Sequence, residues 1–211
     1  MSAPSDARLY LVARAQLGAG PLVDLIAGLA GAGVDMIQLR EKEMEAGDIL
    51  RTGAPIADAC REAGVPFVLN DRPDLALALG AGVHVGQNDV PVDVVRAIVP
   101  DAIVGLSTHE EGEIDAAIAL WDRIDYFAVG PVYETPTKQG RPSVGLRLVR
   151  YAASRTDRPW FAIGGIDEST LGDVLDAGAR RVVVVRAITE ADDPIAAARR
   201  LRRLLDERAV G

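Results

Sequence analysis

The chain has 211 residues, of which 49% are hydrophobic and 26% charged, enough to bury a substantial core. The net charge of −8 excludes a general nucleic-acid or anionic-membrane binder, and the single cysteine, Cys60, excludes an internal disulfide framework. No apolar run approaches the roughly 20 residues that cross a bilayer, and the start, Met1-Ser2-Ala3-Pro4, lacks the apolar core of a secretion signal. These features lead to the expectation of a cytoplasmic enzyme, residues 1–211 forming one domain.

One pattern repeats along the chain: a short β-branched or apolar run, a polar or glycine-containing loop, then a helical stretch. The runs fall at 9–12, 35–39, 66–69, 82–85, 103–106, 126–129, 160–163 and 181–185. Helical stretches lie near 21–31, 47–63, 73–79, 91–98, 110–120, 145–154, 168–177 and 190–206. Pro21, Pro73, Pro91 and Pro194 mark helix starts, where the missing N–H costs nothing, and Gly33, Gly64, Gly82 and Gly178 mark helix ends. The arginines of the last helix, interleaved with acids, read as a solvated face. Eight strand–helix pairs in this length predict a (β/α)8 TIM barrel. An open doubly wound sheet would carry a glycine-rich loop after its first strand, and Leu11 to Gln16 show none.

In such barrels the chemistry sits in the loops after the strands. The second strand ends in Gln38-Leu39-Arg40-Glu41-Lys42, whose alternation puts Gln38, Arg40 and Lys42 on one face and Leu39 and Glu41 on the other. Lys42 and Lys138 are the only lysines among 23 basic residues. A compact ammonium does at a tight site what a planar guanidinium does not. Asp71 and Asp89 close successive strands. Two carboxylates without Cys or paired His suit a hard cation such as Mg²⁺, although each also reads as a helix cap. Gly164-Gly165 suits either close approach of a phosphate or a tight turn. Thr135, Thr137 and Lys138 offer a second anion grip on a long loop that also reads as a lid. His84, between Val83 and Val85, reads as a core histidine, His109 as either a proton-transfer group or part of a helix cap, and Cys60 as core packing.

Taken in order, QLREK (38–42), NDR (70–72), GVHVGQND (82–89), GLSTH (105–109), GPVYETPTK (130–138), AIGGI (162–166) and VVRAI (184–188) resemble the thiamine-phosphate synthase family from the first strand to the last. The resemblance implies a (β/α)8 transferase that joins an aminopyrimidine diphosphate to a thiazole phosphate, optionally carboxylated. Gln38, Leu39, Arg40, Glu41, Lys42 and Asn70 would hold the pyrimidine diphosphate. Ser107 and Lys138 would complete that pocket, as binding groups and candidate catalytic ones. Asp71 and Asp89 would bind Mg²⁺; Thr135, Pro136, Thr137, Gly165, Val185 and Arg186 would hold the thiazole phosphate. The implied chemistry is dissociative: diphosphate leaves, and the thiazole nitrogen captures the pyrimidinylmethyl cation. Arg186 departs from the family pattern, which carries a serine there, and it adjoins the phosphate site. The partners implied are small molecules, with neither nucleic acid nor membrane, and the sequence leaves the oligomeric state open. A thiazole tautomerase of the same family would not need the full diphosphate and metal set, and a phosphorylated-ligand sensor would bind without turnover.

Overall fold

The computed structural model describes residues 6–18, 20–135 and 142–208. Eight parallel strands close a barrel: β1 (Leu9–Ala13), β4 (Met36–Leu39), β5 (Phe67–Asn70), β6 (Gly82–Val85), β7 (Val104–Thr108), β8 (Tyr126–Val129), β9 (Trp160–Ile163) and β10 (Val182–Val184). Helices α1 (Leu22–Gly31), α2 (Ala46–Glu62), α3 (Pro73–Leu79), α4 (Val92–Ile98), α5 (Glu111–Ala119), α6 (Gly145–Arg155), α7 (Leu171–Asp176), α8 (Arg186–Thr189) and α9 (Pro194–Glu207) follow the strands. The expected barrel is thus the observed fold. A small antiparallel hairpin that the sequence reading lacks, β2 (Gln16–Leu17) with β3 (Gly20–Pro21), sits between β1 and α1.

The strands are apolar on both faces because both faces are buried. Outward residues such as Leu9, Leu11, Ile37, Leu39, Val83 and Val85 join the helix-facing core. Inward ones, among them Tyr10, Met36, Val68, Tyr126, Phe161 and Val183, fill the lumen. The Tyr10, Tyr126 and Phe161 rings meet edge-on at centroid separations of 5.4 to 5.8 Å and plug its middle.

Three boundary expectations are corrected. Gly82 opens β6 instead of capping a helix; the left-handed cap of α3 is Gly80, at φ 61°. The 168–177 helix begins only at Leu171, because the Asp167 carboxylate holds the Ser169 and Thr170 amides in a turn. The last helix begins at Pro194, and the one-turn α8 stands between it and β10.

The arginines of α9 do more than face water. Arg202 Nη1 reaches the Asp35 carboxylate at 2.8 Å, and that carboxylate also accepts from the backbone N–H groups of Arg8 (2.7 Å) and Leu9 (2.9 Å). Arg8 in turn donates to Leu205 O at 2.6 Å. This cluster fastens the last helix to the amino-terminal ends of β1 and β4, away from the mouth.

Candidate active site at the carboxyl ends of the strands

The barrel mouth opens into a cavity of about 310 Å³ whose lining includes Gln38, Arg40, Asn70, Ser107, Thr135, Gly165, Val185 and Arg186. Six strand ends thus bring eight of the predicted site residues to one hollow. Pro136, Thr137 and Lys138 lie outside the described residues. Leu39 and Glu41 belong to the same stretch, but their side chains leave the mouth. Leu39 is fully buried in the helix-facing core, and the Glu41 carboxylate is engaged by Ala15 N (2.8 Å) and Arg14 Nε (3.2 Å). The alternation read from the sequence is the physical reason.

Beneath the cavity a hydrogen-bonded chain crosses the lumen. Gln38 Nε2 donates to Tyr10 Oη at 2.5 Å, Tyr10 Oη lies 2.9 Å from Tyr126 Oη, and Tyr126 Oη lies 3.0 Å from His84 Nδ1. His84 Nε2 is 2.9 Å from Ser107 Oγ. Burial pushes both phenols well above their ordinary pKa, so they stay protonated. His84 is buried, as expected, but in the lumen at the cavity wall and not in the apolar core formed by its neighbours Val83 and Val85. Sequence reasoning missed Tyr10 and Tyr126 altogether. Their signal was faint: phenols in the first two positions of strands that are otherwise apolar on both faces.

Asp71 adopts φ 62°, the only non-glycine residue with positive φ among the described residues. Its N–H is held by His84 O at 2.9 Å, which aims the carboxylate across the mouth to within 3.4 Å of Lys42 Nζ. Burial raises the Asp71 pKa, the adjacent Asp89 carboxyl raises it further, and Lys42 opposes both. Neither aspartate caps a helix: α3 is preceded by Arg72 and α4 by Pro91, with no side-chain cap, and Asp89 Oδ2 instead accepts from Gly86 N at 2.8 Å. Among the described residues no three His, Cys, Asp or Glu side chains converge, so the donor set is this carboxylate pair. A half-buried Asp71 carboxylate pressed against the exposed Asp89 fits a hard divalent cation that takes its remaining oxygens from substrate and water.

On the opposite rim, Gly164 and Gly165 have φ 106° and 65°, and a Cβ on Gly164 would lie 2.5 Å from Pro131 Cα. The turn is therefore a packing requirement as well as a backbone surface facing the cavity. Across it Val132 N bonds Ile163 O (2.9 Å) and Tyr133 N bonds Gly164 O (3.0 Å), which carries Thr135 into the hollow. Asp167, also in the lining, occupies the place where a helix start was expected. The Arg186 side chain is 43% exposed and 3.9 Å from Glu190. It borders both the cavity and an adjoining cleft of about 490 Å³ shared with Arg14, Arg40 and Lys42.

His109 is tied into the loop by its N–H to Glu113 Oε2 (2.6 Å) and its ring to Gly130 O, which fits the capping alternative. Cys60 is fully buried in α2, and burial pushes its thiol up to about 12, as core packing requires.

Fold and mouth together define the class: a (β/α)8 enzyme that works on small molecules at the carboxyl ends of its strands. The sequence model of the family described as thiamine monophosphate synthase matches residues 9–188. A thiamine-phosphate synthase of Streptomyces avermitilis is 53% identical over 92% of this chain and 91% of its own length. One from Acidothermus cellulolyticus is 51% identical over 92% of each. The solved structure of a thiamine phosphate pyrophosphorylase from Pyrococcus furiosus superposes with a TM-score of 0.85 at 28% identity, covering 97% of this chain and 98% of that one. The chain belongs to the thiamine monophosphate synthase family. The transferase activity expected from the sequence, synthesis of thiamine phosphate, is the one these relatives support, and neither the tautomerase nor the sensor alternative is favoured. Among the described residues no helix is long and apolar enough to cross a membrane.

Proposed function

We propose that residues 1–211 form one catalytic domain that condenses 4-amino-2-methyl-5-(diphosphooxymethyl)pyrimidine with a thiazole phosphate in this cavity. The observation that carries the reading is the division of the mouth: an ammonium and a carboxylate pair on the β4–β6 side, and a glycine turn with Thr135 on the β8–β10 side. The first side suits a metal-bound diphosphate, the second a single phosphate. Asp71 and Asp89 would hold Mg²⁺, which when bound neutralises charge on the diphosphate leaving group.

Arg40, Lys42 and Asn70 bind the diphosphate, and with Lys138 they stabilise the charge that develops as the methylene C–O bond breaks and its electron pair departs with the diphosphate. Gln38 and Ser107 orient the pyrimidine over the aromatic plug. Gly165, Thr135, Thr137, Val185 and Arg186 hold the thiazole phosphate so that the ring nitrogen's lone pair forms the new C–N bond on the same carbon. No protein nucleophile takes part, in keeping with a buried, inert Cys60. Fixing both partners in one hollow contributes on the order of 7–11 kcal/mol to lowering the barrier. A cytoplasmic setting goes with a lone free thiol and small-molecule precursors.

The test is to incubate the purified chain with both precursors and Mg²⁺ and to measure thiamine phosphate by chromatography. Product that depends on both precursors is expected. Folded protein that yields none would sink the reading.

A further inference from the structure

The hydrogen-bonded chain across the lumen has a direction, and the chemistry proposed above does not use it. Each phenol owns one proton. Tyr10 Oη accepts from Gln38 Nε2, so it satisfies its own proton by donating to Tyr126 Oη. Tyr126 Oη, now an acceptor, donates its proton to His84 Nδ1. An imidazole nitrogen that accepts is unprotonated; in the neutral ring the proton then sits on Nε2, where it is donated to Ser107 Oγ. Ser107 is left with its own proton for whatever fills the cavity it lines. With the Gln38 amide donating, the opposite order would leave the Tyr10 proton without an acceptor among the described residues, deep in the lumen, which is costly.

The surrounding packing keeps this chain in place. The Tyr10 and Tyr126 rings are held edge-on to each other and to Phe161, and His84 stacks on Tyr126 at 5.6 Å. Gly105, on the neighbouring strand, supplies the room: a Cβ there would strike both the Tyr126 ring and His84 Nδ1.

We propose that Tyr10, Tyr126 and His84 are positioning residues that fix His84 as the Nε2–H tautomer and thereby make Ser107 a hydrogen-bond donor to the substrate. The group seated against Ser107 is therefore an acceptor. Resting on the function proposed above, that group is a ring nitrogen of the aminopyrimidine and not its amino substituent.

The tautomer is read directly by long-range proton–nitrogen NMR on the ¹⁵N-labelled full chain, with His84→Gln assigning the signal between the two histidines. Nε2–H is expected in the wild type, and a mixture of tautomers in Tyr126→Phe. Nδ1–H in the wild type means that the chain runs the other way, with Ser107 as acceptor, and overturns the proposal. In steady-state assays, Tyr126→Phe is expected to raise the KM for the pyrimidine diphosphate about three- to tenfold, the effect of weakening one hydrogen bond, with the thiazole phosphate KM unchanged. An equal rise for both substrates would indicate a loosened barrel and also overturn it. Tyr10→Phe, one link further along, should show the same selectivity with a smaller effect, and it replaces Tyr126→Phe if that variant does not fold. A wild type that makes no thiamine phosphate would refute the substrate assignment alone, because the tautomer is measured without turnover.

Discussion

Gly105→Ala probes the crowding of the lumen in a single atom. Gly105 lies on β7 with its missing side chain directed at Tyr126 and His84, and a methyl group there would overlap the Tyr126 ring and the His84 imidazole. Neither neighbour is the loose end of a flexible chain: Tyr126 is fully buried and locked between Tyr10 and Phe161. Forcing one methyl into a core this tightly packed costs about 1–3 kcal/mol. In a chain of this size each kcal/mol moves the midpoint by roughly 2–4 °C, so calorimetry should show Tm lower by about 2–12 °C. Gly112→Ala is the matched control. It lies in α5 with nothing within 4 Å of the added carbon, and it should raise stability by about 0.5–1 kcal/mol through helix propensity alone. Equal Tm values for the wild type and Gly105→Ala would refute the claim that this glycine is required by the tyrosine–histidine packing.

Asp89→Asn should lower Mg²⁺-dependent turnover at least tenfold. It should also remove the thermal stabilisation by Mg²⁺, worth about 2.7 kcal/mol when the free ion is at a hundred times Kd; a variant still stabilised by the ion would show that the cation sits elsewhere. Arg186→Ser should raise the KM for the thiazole phosphate severalfold and leave that for the pyrimidine diphosphate alone, since Arg186 lines the cavity with Val185 and Gly165. An unchanged thiazole KM means that the side chain swings to Glu190 and water. Arg202→Ala leaves the half-buried Asp35 without its guanidinium partner and should cost about 1–2 kcal/mol in chemical denaturation with unchanged kinetics; altered KM values would show that the base of the barrel communicates with the mouth.

The barrel was legible because its strands are uniformly apolar and recur with helices between them, a pattern that burial on both faces imposes. The grouping of Gln38, Arg40, Asn70, Ser107, Thr135, Gly165, Val185 and Arg186 was legible for a related reason: once the topology is known, every strand end opens on the same mouth. What failed to show was the inside of the lumen. Alternation separates water from core, but here it separates one buried face from another, so Tyr10, His84 and Tyr126 carry no polarity signal along their strands. Glu41 was half legible: alternation turns its side chain away from the mouth, but not toward any named partner. It lies in a charged stretch at the mouth, yet its partners, Arg14 and the Ala15 amide, come from the loop after β1, a contact without trace in the local sequence. The left-handed Asp71 was likewise invisible, because its conformation follows from the His84 carbonyl on the next strand.

The barrel's seam, where Leu9 of β1 pairs with Val182 of β10, bears on how the molecule comes into being. On a ribosome the first strand emerges with one neighbour, β4, still to be made, and the other separated from it by most of the message. Until β10 appears the sheet is an open curl with two unsatisfied margins, and those margins are the surfaces that adhere to other nascent chains. Arg8 completes its bonds to Leu205 and Asp206 only when the last helix arrives, 197 and 198 residues later. Closure is therefore a late event, and the hollow at the mouth, which needs β10 for one wall, comes into existence only with it.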